Sequence, residues 1–257
     1  MNKVAPFETI KLFDYSILSS DISFLQTKSK RVVNTINQYS YIIAEKDPEF
    51  KKALMASDVL LPDGIGIVVA AKVLENKKIK KVAGADLHHY LLQKLESEGG
   101  RCFYLGSSEK TLGEIKKRLT RELPSIKSGF YSPPYKPVFD EADNLQMLNA
   151  VNSFAPDVLF VGMTAPKQEK WSYLLKDKLD ANVICSIGAV FDFYAGTIKR
   201  PGKIWINLGL EWFIRLVNEP KRMSKRYLYY GVPFIYMIIK NKTHNIFNKA
   251  ASDMKIL

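Results

Sequence analysis

Between Arg31 and Ile187, short apolar runs alternate with longer amphipathic stretches, and few architectures accommodate that rhythm. The runs predict strands at Arg31–Asn34, Val59–Leu61, Cys102–Leu105, Lys127–Tyr131, Val158–Val161 and Val183–Ile187. Helical spacing predicts helices near Asn37–Lys46, Gly66–Leu74, Ala85–Ser97, Thr111–Leu123, Ala142–Ser153 and Lys167–Leu179. Strand and helix in regular alternation, with strands this uniformly apolar, predict an α/β fold: a mostly parallel sheet with helices on both faces. In such a sheet ligands bind beyond the carboxyl ends of the strands. The residues just after each run are therefore the ones to read for chemistry.

Those residues are polar, small or glycine-rich. They are Asn34-Thr35-Ile36-Asn37, Pro62-Asp63-Gly64-Ile65-Gly66, Gly106-Ser107-Ser108, Gly162-Met163-Thr164-Ala165-Pro166-Lys167-Gln168-Glu169 and Gly188-Ala189-Val190-Phe191-Asp192. Five strand ends of this kind are expected to converge on one crevice suited to a nucleotide or phosphate. Asp63, between Pro62 and Gly64, is placed to act as a general base; capping the helix that starts near Gly66 is the plainer alternative. After Val161, the early-helix Pro166, the exposed first-turn N–H groups and Lys167 favour a phosphate, and Gln168 suits a sugar or a base. A plain capped helix with exposed Lys and Glu explains the same residues. Asp192, framed by Phe191 and Phe193 at a strand end, either accepts ribose hydroxyls or caps a turn. Gly106 opens a strand-to-helix turn, but no GxGxxG or GxxxxGK[ST] occurs, and no DxD stands ready to hold a metal.

Length and composition narrow the class further. The 257 residues suit one large domain, or one with an appendage. Cys102 and Cys185 lie far apart inside apolar runs and read as buried thiols of a cytoplasmic chain. With no CxxC and three histidines (His88, His89, His244), no zinc site is expected, and no cofactor is called for. The N-terminus lacks an uninterrupted apolar signal segment. The longest charge-free apolar stretch, Tyr227–Ile239, is interrupted by Gly231 and Pro233 and is short of the roughly 18 residues a spanning helix needs.

Charge is concentrated at the end of the chain. Residues 197–257 hold twelve Lys or Arg against three acids, +9 of the total +12, and leave +3 to residues 1–196. The predicted division is a catalytic core over 1–196 and a basic helical appendage over 197–257. Lys221, Arg222, Lys225 and Arg226 would share one helical face, able to neutralise a pyrophosphate or meet anionic lipid. The basic residues around YLYYGVPFIYMII fit peripheral attachment to an anionic membrane surface; a final helix packed on the core with a solvated basic rim fits as well. Glu211 and Arg215, four apart, predict a helical ion pair. No nucleic-acid-binding pattern is present, so no nucleic-acid partner is expected. Association between copies is left open.

Taken in order, Asn34-Thr35-Ile36-Asn37, LLPDGIGIV, KVAGADL, FYLGSS, PDVLFVGMTAPKQEKW, IGAVFDFYAGTIKRP and GLEWFIRLVNEPKRMSKRY resemble the bacterial WecG/TagA/CpsF glycosyltransferase family over about residues 8–236. The resemblance implies a Rossmann-like core that binds a UDP-sugar, followed by a helical C-terminal appendage. It implies inverting, metal-independent transfer to a polyprenyl-diphosphate-linked saccharide at the inner face of the cytoplasmic membrane. The expected donor is UDP-N-acetylmannosamine, with a UDP-glucose-dependent capsule or exopolysaccharide enzyme as the alternative. By motif, Asp63 becomes the candidate base, with Thr35 and Asn37 in the same pocket and Gln168 opposite. Asp192 matches the nucleotide-contacting Asp, Gly106 and Lys167 fall at donor-side positions, and Arg215, Arg222 and Lys225 match basic positions that close over the diphosphate. Two positions depart from the pattern. Lys81 stands where many relatives carry Arg, keeping a charge without the bidentate fork. Gly162-Met163-Thr164 replaces Gly-Leu-Gly, adding a hydroxyl near the donor. A nucleotide-sugar sensor without turnover and a membrane-surface scaffold are the competing readings.

Overall fold

The computed structural model describes residues 7–199, 201, 202, 204, 205 and 210–253; within that span the side chains of residues 215, 222 and 245–253 lie outside the description. Its centre is a six-stranded sheet. The strands are β3 (Arg31–Ile36), β4 (Val59–Pro62), β5 (Arg101–Gly106), β6 (Lys127–Tyr131), β7 (Val158–Gly162) and β8 (Val183–Ser186), in the order β4-β3-β8-β7-β5-β6. Every pairing is parallel. All six strands fall where the sequence predicts them, to within a residue or two at their ends, although β6, KSGFY, is the least apolar of them.

Side chains alternate across the sheet, but both faces are apolar. On one face Val33, Leu61, Tyr104, Phe160 and Cys185 pack with Leu91 and Leu95 of α4 (Gly84–Glu98), Ile115 and Leu119 of α5 (Glu109–Glu122), and Phe191 of α8 (Ala189–Ala195). On the other, Val32, Leu105, Val161 and Ile184 meet Val151 of α6 (Glu141–Phe154) and Trp171 of α7 (Lys167–Leu175). Beside them Ile36 and Leu60 meet α1 (Gln38–Ala44), α2 (Pro48–Met55) and α3 (Ile65–Glu75). Burial on both sides is why these strands read as continuous rather than alternating hydrophobic segments. Cys102 and Cys185 are buried free thiols within this core.

Three elements escape the periodicity. The hairpin β1 (Thr9–Leu12) and β2 (Tyr15–Leu18) turns at Phe13, φ 54°, and its four-residue strands are too short to carry a pattern. Helix α2 is announced only by its cap: the Asp47 carboxylate accepts the Phe50 N–H at 3.0 Å and Pro48 opens the first turn. Helix α8 corrects the reading of Phe191-Asp192-Phe193 as a strand-end loop. Those residues are helical, because Val190 and Phe191 turn inward as one buried helical face.

The carboxyl-terminal segment is helical as expected, and part of it belongs to the core. It runs through α9 (Glu211–Asn218), α10 (Pro220–Ser224), a π turn at Lys225–Tyr229 and α11 (Gly231–Asp253). Phe234 of α11 is buried against Tyr41 and Phe13, with ring centroids 5.3 and 6.1 Å away, and Ile238 is buried one turn on. Trp212, Phe213, Leu228, Tyr229, Val232, Ile235, Tyr236 and Ile239 stay exposed. No helix among the described residues is long and apolar enough to cross a membrane.

Gly106 holds the end of β5 against β7. It adopts φ 116°, and a Cβ there would lie 2.3 Å from the Gly162 carbonyl oxygen. Replacing it by Ala combines a disfavoured φ with a backbone clash, an expected loss of roughly 3 kcal/mol or more, seen as a lowered melting temperature. Phe234→Ala should remove about 3–5 kcal/mol of packing and make the C-terminal helix the first site of limited proteolysis.

Candidate active site

A polar cavity of about 350 Å³ opens at the carboxyl ends of β3, β4, β7 and β8. Thr35 lies at the carboxyl end of β3 and Asn37 follows it, Asp63 follows β4, Thr164 and Gln168 follow β7, and Gly188 and Asp192 follow β8. Four strand ends contribute, not five: β5 ends at Gly106, which is packed against Gly162, and the Ser107 N–H is bonded to the Gly162 carbonyl at 3.0 Å. Gly106 therefore shapes the sheet edge and does not line the crevice. A second, more apolar cavity of about 510 Å³ lies alongside, walled by Ile65, Val68, Trp212, Phe234 and Ile235. The two share Asn37, Tyr39, Asp63, Glu211 and Arg226.

Asp63 stands where the cavities meet. Its main chain is pinned by an N–H bond to the Ile36 carbonyl at 2.9 Å, so it continues the β3–β4 ladder. The capping alternative falls away, because the N-cap of α3 is Gly64 at φ 112° and has no side-chain cap bond. Asn37 does cap a helix. Its Oδ1 accepts the Tyr39 and Ser40 N–H groups, both at 3.0 Å, and Ser40 Oγ accepts the Asn37 N–H in return at 2.8 Å. With that oxygen committed, the amide NH₂ is what Asn37 can offer a ligand. Thr35 is half-buried on the polar side.

The start of α7 departs most from expectation. Positions 168, 169 and 172 face the interior, which turns 167 outward. Lys167 Nζ donates to the Lys136 carbonyl at 2.7 Å and lies 4.3 Å over the Phe139 ring, away from the crevice; burial holds its pKa below the usual lysine value. Gln168 lines the cavity, but its Oε1 accepts the Gly188 N–H at 3.1 Å and the Met163 N–H at 3.3 Å. It braces the loops after β7 and β8, and its amide NH₂ donates to Glu169 Oε1 at 2.9 Å. Glu169, exposed only in the plain capped-helix alternative, is 2% exposed. Burial pushes its carboxyl up to about 7, against the opposing pull of the Gln168 bond and the Arg226 charge. Its Oε2 has no hydrogen-bond partner among the described residues. A Gln-Glu pair entering a helix whose apolar face includes Trp171 and Leu175 was the available signal.

The C-terminal segment closes the site through two contacts. Lys81 Nζ meets Glu211 Oε2 at 2.5 Å, so Glu211 ties α9 to the loop before α4; the predicted partner, Arg215, has its side chain outside the described residues. Arg226 lies 4.5 Å from the Tyr39 ring centroid, over the ring, and lines both cavities. The expected common face of Lys221, Lys225 and Arg226 breaks at the π turn, whose wider turn carries Arg226 inward and leaves Lys221 and Lys225 exposed. Lys225 lines neither cavity. The side chain of Arg222 lies outside the described residues. Asp192 lines the polar cavity from α8, and Thr197 Oγ1 donates to its carbonyl at 3.1 Å. Among the described residues no three His, Cys, Asp or Glu side chains group so as to hold a metal ion.

A carboxylate at the junction of two cavities can take a proton from a group arriving on one side while bonding changes on the other. Comparison with known proteins agrees with a transferase. A model of the glycosyl transferase WecG/TagA/CpsF family matches residues 9–247. The N-acetylglucosaminyldiphosphoundecaprenol N-acetyl-beta-D-mannosaminyltransferase of Bacillus subtilis (strain 168) is 30% identical over 225 residues, covering 85% of this chain and 86% of that protein. The protein of the same name from Bacillus spizizenii is 29% identical over 215 residues, covering 82% of each. With the match running from the first hairpin into the last helix, the chain belongs to the glycosyl transferase WecG/TagA/CpsF family.

Proposed function

We propose that this glycosyltransferase moves a sugar from a UDP-sugar to N-acetylglucosamine carried on a polyprenyl diphosphate, with N-acetylmannosamine as the expected sugar. The observation that carries the reading is the position of Asp63, shared by a polar cavity that suits the donor and an apolar one that suits a lipid-linked acceptor. The names of the two Bacillus relatives, which specify that sugar and that class of acceptor, support it.

The acceptor hydroxyl enters from the apolar side and gives its proton to Asp63 as its oxygen bonds to the anomeric carbon. The bond from that carbon to the diphosphate breaks on the opposite face, so the anomeric centre inverts and UDP leaves. Leaving-group charge falls to Arg226, which among the described residues is the cation that lines both cavities. Lys81 is engaged by Glu211 and holds the closing segment. The absence of a DxD motif supports transfer without a bound metal. Exposed Trp212, Phe213, Ile235, Tyr236 and Ile239, with the exposed Lys221, Lys225, Lys240 and Lys242, support peripheral attachment of this face to an anionic membrane.

Asp63→Asn should lower turnover by roughly 10²–10⁴-fold while leaving UDP affinity unchanged. Unchanged turnover would remove Asp63 from the role of base. UDP release with a short-chain lipid-diphosphate-N-acetylglucosamine acceptor, measured across a panel of UDP-sugars with EDTA present, should be acceptor-dependent for one donor. Release that requires added divalent metal would overturn the metal-independent mechanism. UDP binding without release for any donor would favour a sensor over a transferase.

A further inference from the structure

Glu169 is the one cavity-lining carboxylate that neither the proposed chemistry nor a hydrogen-bond network fully employs. Its placement is well defined. It sits in the first turn of α7 and lines the polar cavity; Gln168 fixes one oxygen from a side chain itself anchored on two main-chain N–H groups, and the other oxygen is buried without a partner among the described residues. A buried carboxyl oxygen with no protein partner is unusual in a well-formed site, and a ligand atom is the natural one to complete it.

Among the described residues, the other charged and titratable groups that line the same cavity are Tyr39 from α1, Asp63 after β4, Asp192 from α8, Glu211 from α9 and Arg226 from the π turn. Arg226 is the charge that favours ionised Glu169, and burial opposes it, holding the carboxyl near neutrality at about 7. A nucleoside diphosphate in this cavity would bring two negative charges and occupy Arg226. Both effects disfavour a second, unpaired anion in a water-poor space.

We infer that Glu169 receives the donor as a neutral carboxylic acid, its unpartnered oxygen donating a hydrogen bond to an anionic oxygen of the nucleoside diphosphate, so that donor binding takes up a proton from solvent. The inference rests on the donor site proposed above and adds a ligand-contacting residue to it. In the sign of the linkage, the protonated form binds: affinity is fully present below pH 7 and weakens as pH rises above it, by up to about tenfold per unit. Transfer would then slow at alkaline pH through a rising donor KM, with kcat at saturating donor less affected.

Isothermal titration of full-length protein with UDP-N-acetylglucosamine, over about pH 6 to 8.5 in buffers of differing ionisation enthalpy, counts the protons directly. This probe's diphosphate does not titrate in that range. The wild type should take up more than about half a proton per ligand at pH 7.5, and Glu169→Gln should bind with pH-independent affinity and no uptake. Uptake persisting in folded Glu169→Gln, or a wild type with flat affinity and no uptake, overturns the inference while leaving the donor site standing. No binding of UDP-N-acetylglucosamine or of UDP itself by the wild type at any pH overturns the donor site as well. Should Glu169→Gln fail to fold, uptake retained in Asp63→Asn, Asp192→Asn and Glu211→Gln supports Glu169 as the proton carrier, and uptake lost in one of them overturns it.

Discussion

In a parallel sheet with helices packed on both faces, a strand can present polar groups to a ligand only at its ends. Here β3, β8 and β7 run through the middle with apolar side chains on both faces, so functional chemistry gathers on the loops that leave their carboxyl ends. The loops need bracing, since their backbone groups have left the ladder. Gln168 supplies it by accepting one N–H from the loop after β7 and one from the loop after β8. The same side chain sets the position of Glu169. One amide thus joins the architecture of the sheet edge to the electrostatics of the cavity.

The C-terminal segment completes what the sheet leaves open. Phe234 and Ile238 anchor α11 in the core beside α1 and α3, so the helix is held by apolar burial and not by charge. From that anchor the π turn reaches back over α1, where Tyr39 supports the Arg226 guanidinium. The Lys81–Glu211 pair makes a second tie, with both side chains largely buried. Both cavities take part of their lining from this segment.

Much of this was readable in the sequence. Period and apolarity located all six sheet strands; in five of them burial on both faces leaves a largely hydrophobic run, while the edge strand β6, KSGFY, is only partly buried. Strand-end position singled out Thr35, Asn37, Asp63, Gln168 and Asp192, and all five line the polar cavity. Side-chain direction was not readable. Lys167 and Glu169 are two residues apart in one turn, yet the cation points out and the carboxylate in, because the buried face of α7 runs through 168, 169 and 172. Gly106 resembled a ligand-binding glycine, whereas its freedom serves the approach of Gly162.

The amino-acid sequence by itself determined the layered α/β architecture and the edge of the sheet where the polar cavity opens, and it marked Asp63, which both cavities share, as a candidate. These follow from local periodicity and from where each apolar run stops. Only the tertiary structure decided that Arg226, not Lys225, lines the crevice, that Glu169 is buried with one oxygen unpartnered, and that Glu211 reaches Lys81 across 130 residues of chain. Each depends on the rotation of one helix against elements distant in sequence, which packing sets and local pattern does not encode.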